Sequence, residues 1–152
     1  MIQNILREIL EQNLKTCSYT FNEIKEENLS YRLNNKTATV GFIYRHIGEI
    51  MLLYGNFFGI PSRIQNTTMG QQDEGQGKNL KESKELIKNG FKMLHQIIET
   101  TEEESWRDLI DTPFFGKVSK SKLFSHILFH NTYHAGQIGL TLKRAEGRQI
   151  LL

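Results

Sequence analysis

Residues 119–147 read SKSKLFSHILFHNTYHAGQIGLTLKRAEG. At about 100° per residue, placing Leu123 at 0° puts His134 at about 20°, Ile127 at about 40°, Ile138 at about 60° and His130 at about 340°. The stretch is an amphipathic helix whose apolar face carries two histidines one turn apart. Its start lies near Ser119 or Ser121, and Gly147 reads as its C-cap.

Three more helical patterns precede it. Ile2, Ile5, Leu6, Ile9, Leu10, Leu14, Cys17, Phe21 and Ile24 recur at three- and four-residue steps and predict helix one. Thr39 follows a polar stretch and is the expected N-cap of helix two, which carries Phe42, Ile43, Ile50, Leu53 and Phe57 and stops near Gly59 and Pro61. Residues 62–79 are rich in Gly, Gln and Asn and predict a long surface loop, able to act as a lid. Helix three runs from about Leu80 through Ile87, Phe91, Leu94 and Ile98 towards Glu102–Glu104. The segment ESWRDLIDTPFFGKV, with the single tryptophan, reads as an extended connection packed by its aromatics. No strand pattern is long enough for a sheet. The expectation is an all-α, four-helix bundle with long connections after helices 2 and 3, in one domain over 1–152.

Composition narrows the chemistry. The single cysteine, Cys17, permits no internal disulfide and no thiolate cluster, so any metal has to be held by His, Asp or Glu. Nineteen basic residues against seventeen acidic ones give +2, with the lysines dispersed, which does not argue for nucleic acid. The N-terminus carries Arg7, Glu8 and Glu11 within its apolar pattern and reads as an amphipathic helix, not a signal peptide. No apolar run approaches the ~20 residues of a membrane span. A cytoplasmic protein is expected.

The five histidines separate by helical face. Setting His46 at 0° puts Phe42, Ile43, Ile50, Leu53 and Phe57 within about 60° of it, so His46 lies at the centre of a buried stripe. His46, His130 and His134 therefore converge on one core. A lone buried histidine is ordinarily a satisfied core residue, but three without partners cost about 1–3 kcal/mol each, and a divalent cation removes that cost. His95 lies about 70° off its own stripe and is a surface residue. His126, about 90° off, is open between a donor to one of the ligands, a fourth ligand and a structural residue. Glu49 flanks the His46 stripe and is open between a ligand, a general base, a solvated carboxylate and a carboxylate supporting a ligand. Gln137, one turn beyond His134, either orients a ligand, donates to substrate or caps a contact between helices.

Several mechanisms lack their residues. Asn131 follows His130 where a zincin HExxH has its glutamate. Ile43, Ile127 and Asn131 stand three before the histidines, where a di-iron bundle needs glutamates. No GxSxG elbow occurs. What remains is a metal with three neutral ligands.

PFFGKVSKSKLFSHILFHNTYHAGQIGLTLKRAEG (113–147) resembles the C-terminal signature of the DinB/YfiT-like superfamily, and TVGFIYRHIGEIMLLYGNFFG (39–59) resembles its second helix. Where many members have a basic residue after the last histidine, this chain has Ala135. The resemblance implies a four-helix bundle, commonly a homodimer, with a metal triad at His46, His130 and His134. It also implies nickel, zinc or another divalent ion, and relatives that are transferases or isomerases using low-molecular-weight thiols. The leading expectation is a metal-dependent enzyme activating a water or a low-molecular-weight thiol towards a small-molecule substrate, of thiol transferase or hydrolase type. Substrate contacts are expected around Phe57 and Phe58. The rival is a non-catalytic protein in which the metal is structural or captures a small ligand.

Overall fold

The structure, a computed structural model, describes residues 1–149, with side chains through Ala145; residues 150–152 of the expected domain lie outside the described residues. Four long helices carry the chain: α1 (Ile2–Phe21), α2 (Val40–Tyr54), α3 (Leu80–Thr100) and α4 (Lys120–Gln149). Their starts follow local chemistry. The Thr39 hydroxyl accepts the Phe42 N–H at 3.2 Å, and Asn79 Oδ1 accepts the Glu82 N–H at 3.0 Å, so each satisfies a helix-start donor. At the far end α4 continues through Gly147, so that glycine is not its C-cap.

The all-α expectation needs correcting. Residues Leu109–Thr112 (β1) and Gly116–Ser119 (β2) form an antiparallel hairpin, with Ile110 opposite Val118 and Thr112 opposite Gly116. The Thr112 hydroxyl closes the turn by donating to Gly116 O and accepting the Phe115 N–H, and Gly116 takes φ 62°, where a side chain would be strained. Strands of four residues are too short to show an alternating pattern. The connection after α1, residues 22–39, is also long.

Not every apolar residue of the helix-one pattern is inside. Leu10, Cys17 and Phe21 are buried, whereas Ile5 and Ile9 are 53% and 47% exposed. Between them Asn13 is buried, and its amide donates to Leu128 O and Thr132 Oγ1 of α4.

Neighbouring contacts give the helix directions. Gly48 lies against Leu86, Gly90 against Met51 and Gly55 against Met93, so α2 and α3 run parallel. A methyl group on Gly48 would stand 2.7 Å from Leu86 Cβ, so glycine is required for that approach. α4 runs antiparallel to α2, pairing His46 with His134 and Tyr54 with His126. α1 is antiparallel to α3 through Arg7–Glu99 and Gln3–Thr101, and parallel to α4.

Parallel packing of α2 and α3 obliges the chain to travel back the length of α2, about 20 Å. Residues 59–79 make that return. They are tied down and are not a free flap: Gly77 packs on Gly41, and Asp73 Oδ2 accepts both the Thr39 N–H and its hydroxyl at 2.7 Å. Thr68 is buried. Among the described residues no helix is long and apolar enough to cross a membrane.

Candidate metal centre

Antiparallel α2 and α4 bring their histidines face to face. His46 from the middle of α2 meets His130 and His134, which are one turn apart on α4, with ring centroids 4.3 to 5.0 Å apart. One nitrogen of each lies within 4.8 Å of the others. No fourth His, Cys, Asp or Glu joins the group among the described residues.

The surroundings fix which nitrogen each ring offers. Glu49, buried two turns into α2, accepts from Arg45 Nε at 2.7 Å, from the Thr67 N–H at 3.0 Å and from the Thr67 hydroxyl. It also accepts the Thr68 hydroxyl at 2.7 Å. Thr68 has one hydroxyl proton and gives it to Glu49, so at 3.0 Å it can only accept from His46 Nδ1. His46 is therefore the Nδ1–H tautomer, with a lone pair on Nε2. The same logic holds on α4. Gln137 Oε1 accepts from His134 Nδ1 at 2.6 Å, which leaves the His134 Nε2 lone pair free.

His130 differs from its partners. Its Nε2 lies 3.1 Å from His46 Nε2, while its buried Nδ1 has no partner. Two facing lone pairs at that distance repel unless a proton or a cation lies between them. A proton on His130 Nε2 or a divalent ion at the cluster accounts for the close approach, and the neutral nitrogen donors suit such an ion.

Electrostatics keep the rings neutral. Burial, then His134, pushes His46 down to about 4, against a weaker upward pull from Glu49. Burial and the neighbouring imidazoles push His130 down to about 3. His134 is also lowered by burial, against the Gln137 bond. Burial alone would raise Glu49, but its bonds from Thr67, Thr68 and Arg45 hold it below the ordinary carboxylate range, so it stays ionised. Neutral imidazole is the form that binds metals.

The other candidates take distinct places. His126 stacks on Tyr54 and packs edge-on to Phe115, with its centroid 6.1 Å from that of His130, outside the cluster. Glu49 supports His46 through Thr68 and is not in the cluster either. Gln137 orients His134. His95 is exposed. Asn131 is fully buried and donates to Asn13 Oδ1 and Met51 Sδ, turned to α1 and α2. Thr67 and Thr68 were invisible to helical-face reasoning, because a loop has no period; the one signal is a Thr-Thr pair in a segment rich in Gly, Gln and Asn.

A cavity of about 450 Å³ opens onto His46 and His134 between the start of α2, residues 33–38 and the middle of α4. Phe57 and Phe58 do not line it. Phe58 packs with Trp106 and Phe124, and Phe57 with Tyr54 and Phe114, at the other end of α2.

The sequence model of the DinB family matches residues 1–149. No curated protein matches the chain. Among solved structures, the chain is similar to the conserved protein of locus from Enterococcus faecalis, with a TM-score of 0.73 over 97% of this chain and 98% of that one. At 11% identity that likeness speaks for the fold alone.

Proposed function

The chain belongs to the DinB family, and we propose that it is a metal-dependent enzyme on a DinB-type four-helix bundle, acting on a small molecule at a divalent ion. His46, His130 and His134 would hold the ion, nickel or zinc by the character of their donors. When bound, it would supply Lewis-acid polarisation of a water or a low-molecular-weight thiol, the chemistry of a hydrolase or a thiol transferase. The chain's own residues then have separate tasks. Thr68 and Glu49 hold His46 in one tautomer, Gln137 does the same for His134, and the cavity beside them admits the substrate.

The observation that carries this reading is the incomplete ligand set. Three histidines converge, and the two residues able to complete a closed structural site, Glu49 and His126, stand outside it. A site closed by four protein ligands is structural, whereas a catalytic one keeps a position open. One observation favours a second reading, ligand capture without turnover: every bond that Glu49 accepts is already made inside the protein, so it is not available as a base.

We also place the protein in the cytoplasm as a homodimer without nucleic-acid or membrane partners. The exposed apolar side chains Ile5 and Ile9 on α1 and Phe129 and Tyr133 on α4 support the dimer.

The test is metal content by mass spectrometry on tag-free protein after incubation with nickel or zinc. Wild type should carry about one ion per chain (cf.). His130→Ala should lose it and His95→Ala should keep it. No uptake by the wild type, or equal uptake by all three, overturns the site. Turnover of ester and thiol-acceptor panels by the loaded protein separates catalysis from capture.

A further inference from the structure

The cavity beside the histidines has a chemical character of its own. Its walls come from Leu33, Ala38, Phe42, Ile43 and Leu140, and none of its lining residues is Asp, Glu, Lys or Arg. A volume of about 450 Å³ falls within the range of small-molecule sites.

Two charged side chains beside lining residues are engaged by other groups. Arg45 is held by Glu49, Glu82 and Thr67. Asp73 is bound to Thr39. The hydroxyls on the wall are committed too. Thr37 donates to Asn34 O, Thr68 to Glu49 and Thr141 to Gln137 O. That leaves the Gln137 amide nitrogen: its carbonyl oxygen is fixed by His134, and its two N–H donors have no partner among the described residues.

We propose that the ligand of this cavity is an uncharged small molecule with an aliphatic body and one hydrogen-bond-accepting end, which lies against Gln137 Nε2 and the His46–His134 edge. The inference rests on the reading of the histidines as the reactive end, because that end sets which way round the molecule sits. With no ion at the histidines, a charged group against these apolar walls would lose its hydration and meet no charged side chain among the lining residues, so the metal-free cavity favours an uncharged end over a carboxylate.

The test is isothermal titration of the full chain, metal-loaded and metal-free, with octanamide, octanoate and acetamide. Octanamide should bind saturably, at least ~100-fold tighter than acetamide, because six more methylenes leave water. In the metal-free protein, octanoate should bind at least ~10-fold more weakly than octanamide. Leu140 is half exposed at the cavity wall, so Leu140→Arg should leave the fold intact and reverse the preference towards octanoate. Equal binding of octanoate and octanamide by the metal-free wild type, octanamide no tighter than acetamide, or no saturable binding in either form overturns the proposal. Metal content measured on the same samples keeps the two readings apart. A protein that takes up metal yet prefers octanoate when metal-free loses only this inference, whereas one that takes up none loses the metal site itself.

Discussion

Replacing Thr68 by valine removes one oxygen from a buried site and keeps the side-chain shape. Two bonds go with it: the 2.7 Å bond donated to Glu49 and the 3.0 Å bond accepted from His46 Nδ1. A buried N–H left without an acceptor costs about 1–3 kcal/mol, and a hydrogen bond to a carboxylate contributes about 1.5–3 kcal/mol. The two overlap, so Thr68→Val should lose about 2–4 kcal/mol of folding stability, or roughly 5–12 °C in Tm for a domain of this size. The second consequence concerns the metal. Without Thr68 nothing holds the proton on Nδ1, so His46 populates the tautomer whose Nε2 lone pair is gone. Losing an orienting partner of this kind costs about 10–100-fold in metal affinity. The control is Thr67→Val. Thr67 also donates to Glu49 but does not touch His46, so it should lower stability while leaving affinity within about twofold (cf.). Affinity is read by competition with a chromophoric chelator, and stability by thermal melts of the metal-free proteins. Equal affinity in both variants would show that Thr68 only packs the loop, and the tautomer argument would fall.

Three further outcomes follow from the same contacts. Glu49→Ala leaves Arg45, 12% exposed, with only Glu82 and a threonine hydroxyl as partners, and should cost about 3 kcal/mol in urea melts; a loss below about 1 kcal/mol would mean the charge is solvated. His126→Ala should keep full metal content, since its ring stacks on Tyr54 and Phe115 outside the cluster, and a drop by half would make it a ligand. Burial raises the Asp73 carboxyl, but bonds from the Thr39 hydroxyl, the Thr39 and Gly75 N–H groups and the Arg32 charge outweigh it, so its folded pKa is depressed. Its contribution is full above the unfolded value, about 3.9, and is lost as the pH falls through the folded one. Asp73→Asn should therefore destabilise at pH 7 and narrow the gap to wild type by pH 3; an unchanged gap would remove Asp73 from the acid limb.

How far the sequence could be read depended on where the informative groups lie along the chain. His46, His130 and His134 each stand within one helix, where a period of 3.6 fixes the face, so their convergence needed only two faces to meet. Thr39 as a cap and Leu80 as a helix start were legible for the same local reason. The exposure of Ile5 and Ile9 was not, because periodicity shows that a face is apolar without showing what covers it. The β1–β2 hairpin escaped because its pairing is made by a Thr112 turn and a left-handed Gly116, not by alternation along either strand. Glu49 lay beside the stripe on the helical wheel, and its burial depends on residues 18 and 19 positions away.

Those missed partners are not incidental to the topology. Gly48 and Gly90 let α2 and α3 pack closely and in parallel, and parallel neighbours need a return segment as long as the helix itself. The path of that segment is set by Gly41–Gly77 and Asp73–Thr39 at one end, and it carries Thr67 and Thr68 past the buried middle of α2. There they satisfy Glu49, which would otherwise be a charge buried at great cost, and Thr68 in turn fixes the His46 tautomer. Close helix packing thus calls for the segment, the segment makes the buried carboxylate tolerable, and the carboxylate sets the nitrogen that His46 offers. A change that loosens the segment at Gly77, far from His46 in sequence, should therefore reach the histidine cluster through Thr68.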